Sequence, residues 1–183
     1  MNLIRNGIFT AYKNYELKLI ESREEVPVPI EEKSYQIWYE NNANCPFGDF
    51  IKSSHNNGFY KIVTIDQLKD VFAVRTLGKY NNKVVEVFPS REKDHLQIST
   101  RDKSTATDLH FTKVGEDWYM KEVDSSALEL VWEKILRVKT PKDKQEQIFR
   151  LKELMKRPAL DVHVKMNPLL SLFRYVLGSK RSN

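Results

Sequence analysis

Two stretches decide the fold: Phe59–Phe72, FYKIVTIDQLKDVF, and Tyr119–Trp132, YMKEVDSSALELVW. They align without a gap. Lys61, Val63, Leu68 and Val71 stand opposite Lys121, Val123, Leu128 and Val131, and Phe59 and Phe72 stand opposite Tyr119 and Trp132. In each, a β-prone aromatic run meets a helix-start signal. Thr64-Ile65-Asp66-Gln67 has the form of a capping box, in which the Thr hydroxyl and the Gln side chain each satisfy a backbone N–H of the first turn. Val63 and Leu68 occupy the staple positions around that cap, and Val123 and Leu128 occupy them around Asp124. Leu68, Val71 and Phe72 fall on one helical face, and Leu128, Val131, Trp132 and Ile135 recur at i, i+3, i+4 and i+7. The expectation is a strand followed by a capped helix, written twice.

The match extends upstream. Phe50-Ile51-Lys52 pairs with Phe111-Thr112-Lys113, and Gln36-Ile37 with Gln97-Ile98. Hairpins over 8–20 and 76–88 share a Tyr-x-Asn turn, Tyr12-Lys13-Asn14 and Tyr80-Asn81-Asn82. Further strands are expected at Tyr35–Tyr39, Leu96–Thr100 and Leu109–Val114, with Asn-rich residues 40–58 as a loop. An internal duplication of roughly 60 residues accounts for the pattern. The fold class expected is therefore α+β: two tandem antiparallel sheet-plus-helix units, 1–73 and 74–136, followed by a basic extension, 137–183.

That extension reads as helix, strand, helix. Thr140 and Pro141 suit a helix start, with Ile148, Leu151, Leu154 and Met155 as the apolar stripe. Leu160, Val162, Val164 and Met166 alternate as in a half-buried strand. Asn167-Pro168 then opens a short helix through Phe173 and Val176, stopped at Gly178.

Charge divides the chain. Its net charge is +5, but residues 137–183 carry +8 and residues 1–136 carry −3. Such asymmetry suits a nucleic-acid, membrane or acidic-protein partner. Lys142, Lys144, Arg150, Lys156, Arg157 and Arg174 are the candidate partner-binding residues, with Phe149, Phe173 and Tyr175 interleaved as stacking groups for nucleic acid. Glu21, Glu24, Glu25, Glu31, Glu32 and Glu40 make the front of the chain acidic. No apolar segment opens the chain as a secretory signal would, no run is long enough to span a bilayer, and the one cysteine forms no internal disulfide. A cytoplasmic protein is expected.

Catalytic signals are sparse. Cys45, Asp49 and His55 supply the residue types of a thiol nucleophile, its base and an orienting group. Crowding in sequence does not assemble them, because such partners usually lie far apart in the chain. His95, Asp108 and His110 offer imidazole and carboxylate ligands suited to zinc or iron, without the helical His-Glu-x-x-His or paired-cysteine spacing of a metal site. No glycine-rich phosphate loop or nucleophile elbow occurs, and no cofactor is expected.

Phe59-Tyr60-x-x-Val63 with Leu68-x-x-Val71-Phe72, and Trp118-Tyr119-x-Lys121-x-Val123 with Leu128-x-x-Val131-Trp132-Glu133, resemble small uncharacterised proteins of Gram-positive bacteria. Some of those resemble immunity proteins encoded beside polymorphic toxins. The resemblance covers residues 1–136 and implies neutralisation of a toxin by binding its active surface. A non-enzymatic protein-binding module is the leading expectation. A nucleic-acid-binding accessory protein using the basic extension is the second, and a hydrolase or metal enzyme the third.

Overall fold

The computed structural model describes residues 4–21, 34–40, 44–54, 57–138, 143–156 and 173–175. It overturns the α+β expectation. The described residues are mostly antiparallel strand, with two α-helices, α1 (Lys103–Asp108) and α2 (Lys144–Lys156). Two compact units emerge. The first comprises Gly7–Phe72 with Arg137–Lys152, and the second comprises Met1–Asn6, Ala73–Leu136 and Glu153–Asn183.

The first unit contains β1 (Gly7–Tyr12), β2 (Tyr15–Glu21), β3 (Ser34–Tyr39), β4 (Ile51–Lys52), β5 (Phe59–Thr64) and the opening residues of β6 (Lys69–Tyr80). Its strand order is β4-β5-β3-β2-β1-β6. The second unit takes over β6 from Ala73 and adds β7 (Lys83–Pro89), β8 (His95–Thr100), β9 (Thr112–Gly115), β10 (Trp118–Asp124) and β11 (Leu130–Leu136). There β11 pairs with β6, and the order continues β6-β7-β8-β10-β9. Both units thus repeat one meander, whose last strand returns to pair with its first.

Register makes the repeat exact at single residues. Ile37 faces Lys61 across β3 and β5, as Ile98 faces Lys121 across β8 and β10. Each lysine lies over the tyrosine of its own hairpin, Lys61 Nζ at 5.3 Å from the Tyr12 ring and Lys121 Nζ at 5.5 Å from the Tyr80 ring. Leu68, Val71, Leu128 and Val131 are all buried.

The two expected helices fail in the same way. Both start signals are real, but each drives a single 3-10 turn, Ile65–Gln67 and Ser125–Ala127. The capping box forms at Thr64 and Gln67, and Asp124 accepts from Ser126 N, after which the chain extends again at Leu68 and Leu128. The following residues are rich in β-branched and aromatic side chains, which favour a pleated surface. Every residue from Val71 to Gly78 is buried, so both faces of β6 are covered there. A strand buried on both faces writes a continuous apolar run, and such a run contains helical spacing by accident.

The extension also differs from expectation. Phe173–Tyr175, expected as helix, is a strand, β12, paired with Trp132–Lys134 of β11. Between the strands of the second unit, Lys103–Asp108 is α1, capped by Asp102 through Thr105 N, and Leu109 is its C-cap, so the strand expected from Leu109 begins at Thr112. The α2 helix buries Ile148 and Leu151, and Gln147 Nε2 donates to Val71 O of the first unit at 2.7 Å. The helix start expected at Thr140-Pro141 and the strand expected over 160–166 lie outside the described residues.

The second unit's core is Val85, Val87, Ile98, Val123, Leu128 and Val131. Gly78 of β6 lets it close. A Cβ at this position would lie 2.8 Å from Val87 Cγ2 and 3.3 Å from Leu128 Cδ2. Gly78→Ala is expected to cost about 1–3 kcal/mol through overpacking, read as a lower urea midpoint at unchanged slope. The β6–β7 hairpin turns through Asn81 and Asn82, both at positive φ (46° and 62°), as a two-residue type I′ loop requires.

Candidate functional site

Alternation in a strand sends successive side chains to opposite faces. In the first unit, one face of β2, β3 and β5 carries Leu17, Leu19, Tyr35, Ile37 and Val63, all buried. The other face carries Ile20, Gln36 and Ile62 in one row, and Lys18, Trp38, Tyr60 and Ile51 in the next, by the cross-strand register. This second face is apolar yet open. Ile20, Ile51 and Ile62 are 39%, 57% and 43% exposed. Between them Trp38 stacks on Tyr60, with centroids 5.5 Å apart and planes 27° apart. Trp38 Nε1 donates to Gln36 Oε1 at 3.1 Å, which fixes the indole and satisfies its N–H. Lys18 and Glu40 form a loose ion pair at 3.9 Å along the rim.

The second unit is an internal control. Register equates Ile62 with Glu122, Trp38 with Ser99, Tyr60 with Met120, Ile51 with Thr112 and Ile20 with Phe88. The same strands in the same order therefore hold with Glu, Ser and Thr at three of those positions. The fold does not require Ile51, Ile62 or the tryptophan.

A second unusual feature lies in the second unit. Arg75 on β6 and Lys134 on β11 face one another across the ladder and are 0% and 2% exposed. Arg75 forms an ion pair with Glu86 of β7. Burial, and then the charge of Arg75, lowers the Lys134 pKa to about 8, and burial with the nearby charge of Arg101 lowers that of Arg75 to about 10. Register places Gly7 of the first unit where Arg75 stands, so these charges also have no counterpart in the repeat.

The candidate residues named from sequence scatter. Arg150 pairs with Glu146 at 2.6 Å and Lys156 with Glu153 at 2.7 Å. Lys144 borders an open cleft with Ile65, Asp66, Asp143 and Gln145. Arg174 lies in β12 opposite Glu133, while Lys142 and Arg157 fall outside the described residues. Lys152, also of α2, holds Glu21 at 2.5 Å.

The catalytic candidates fare similarly. Asp49 accepts from Lys61 Nζ at 2.6 Å and Tyr12 Oη at 2.7 Å, and these bonds hold its pKa down to about 2. A carboxylate held this way is a structural anchor and a poor base. Cys45 is half-buried, and His55 is outside the described residues. His95 sits opposite Asp124 in the β8–β10 ladder, and its Nδ1 contacts Lys93 O at 3.0 Å. Among the described residues no three His, Cys, Asp or Glu side chains are grouped to hold a metal. None of the described helices is long and apolar enough to cross a membrane.

Sequence reasoning missed the isoleucine face because it weighed charge and motifs. Its signal was present in the alignment of the two halves, at Ile62 against Glu122 and Ile51 against Thr112.

The fold and this face define a class: a doubled antiparallel meander that presents an apolar sheet surface. Residues 4–139 match the family described as uncharacterised conserved protein UCP033725, and the chain belongs to that family. No curated protein and no solved structure matches it.

Proposed function

We propose that the protein is a non-enzymatic binding module that recognises another protein by surface complementarity, in the manner of an immunity protein. The observation that supports this is the open face of Ile20, Ile51 and Ile62 around the Trp38–Tyr60 stack, where the sibling unit carries Glu, Ser and Thr in place of Ile62, Trp38 and Ile51. Contiguous exposed apolar surface with a polar rim is the usual mark of a protein interaction site, and an oriented tryptophan is a common binding anchor. The acid-paired Arg150, Lys152 and Lys156 count against a nucleic-acid role for α2, because each phosphate would have to displace a carboxylate.

The test is native co-purification from the source cell with nuclease present. A stoichiometric protein partner is expected with the wild-type chain and lost with Ile20→Asp/Ile62→Asp, at unchanged thermal stability. Retention of the same partner by that double variant would refute the assignment to this face.

A further inference from the structure

We infer that this face accepts one short apolar segment of a partner polypeptide and not a second copy of the chain, building on the binding role proposed above. Area decides between the two. The three isoleucines, at 39%, 57% and 43% exposure, offer on the order of 250 Å² of apolar surface; a stable dimer buries about 800 Å² from each side, of which about 500 Å² is apolar. Functional patches of roughly 300–600 Å² begin just above this figure, and the half-buried Trp38 and Tyr60 supply the difference.

Spacing agrees with area. Ile20 and Ile62 are separated by two strand steps, about 10 Å, and Ile51 lies one strand step and two residues from Ile62, about 8 Å. Two or three apolar side chains of a single segment span those distances. Beside them on the same face Glu16, Lys18 and Glu40 form a rim of both signs. An apolar centre with a charged rim is the arrangement of a small hot spot. A second copy would have to bury that rim to gain area, at the desolvation cost of each charge.

The experiment is selection of a displayed library of random peptides, roughly twelve residues long, on the full chain, with Ile20→Asp/Ile62→Asp as counter-target. Enriched peptides sharing two or three apolar residues are expected. They should bind the wild type at micromolar Kd by fluorescence polarisation and bind Ile51→Asp and Ile62→Asp at least about tenfold more weakly. Peptides enriched equally on the double variant, or none enriched at all, would overturn the inference. So would sedimentation equilibrium showing a wild-type dimer that Ile62→Asp dissociates. If co-purification yields a protein partner through this face while no peptide is enriched, the binding role stands and the short-segment inference falls.

Discussion

Glu133→Ala is expected to destabilise the second unit by about 3–5 kcal/mol, the cost of leaving a buried charge without its partner. Glu133 lies on β11 with its side chain 4% exposed, and it holds the Arg5 guanidinium through both oxygens, Nε to Oε1 at 2.7 Å and Nη2 to Oε2 at 2.8 Å. A bidentate fork of this kind is stronger than a single ion pair and fixes direction as well as distance. The pair closes a wider clamp. Arg5 N donates to Thr76 Oγ1 at 3.0 Å, and Thr76 Oγ1 donates to Arg5 O at 2.8 Å. Asn6 accepts from Thr76 N at 2.8 Å and donates to Val87 O at 2.7 Å. The Asn6 side chain therefore satisfies one backbone group each of β6 and β7, and the Arg5 backbone brackets the Thr76 hydroxyl. Arg5→Ala should lose comparable stability, and the double variant Arg5→Ala/Glu133→Ala should lose less than the two single losses combined. Urea unfolding of the four proteins provides the cycle, and full additivity would show that the two side chains do not depend on each other.

That clamp shows what local sequence signals can and cannot carry. The hairpin at Asn81-Asn82, the strands Tyr35–Tyr39 and Leu96–Thr100, and the equivalence of Lys61 with Lys121 were legible, because turn chemistry and strand alternation are local. The cap residues Thr64 and Asp124 were legible too, but the helices expected after them are strands, each preceded by a single 3-10 turn. Whether one 3-10 turn grows into a helix depends on what covers the next residues, and Val71–Gly78 are covered on both sides by partners that sequence does not reveal. The same is true of Arg5, whose partner lies 128 positions away. The isoleucine face was hidden for a different reason. In a single strand, an exposed Ile62 and a buried Val63 look alike; setting the two halves side by side, Ile62 against Glu122 and Val63 against Val123, is what separates them, and register bears the difference out.

Lys134→Met is expected to act in the opposite direction from Glu133→Ala, stabilising the second unit at neutral pH by up to about 3 kcal/mol, the free-energy equivalent of the lowered Lys134 pKa. Lys134 is 2% exposed and faces Arg75 across the β6–β11 ladder, so burial and like charge both oppose its protonated form. Its pKa falls from 10.5 to about 8 in the folded chain. Between those two values the unfolded chain holds a proton that the folded chain has released, so stability rises with pH across that window. Below about pH 8 both states are protonated and the whole penalty is present, up to about 3 kcal/mol for a shift of this size. Wild-type stability should therefore climb from pH 7.5 to 9.5, and Lys134→Met should be nearly flat there. The upper limit matters, because the Tyr35 hydroxyl of the first unit has a raised pKa, from burial first and Glu21 second. Above pH 10 the unfolded tyrosine ionises first, and that lowers stability as pH rises. Arg75 keeps its Glu86 partner in the variant and loses only a neighbour of like charge. A wild-type curve that is flat from pH 7.5 to 9.5, or a loss of stability in Lys134→Met at pH 7, would mean that the ammonium is better satisfied than its burial and its cross-strand arginine imply.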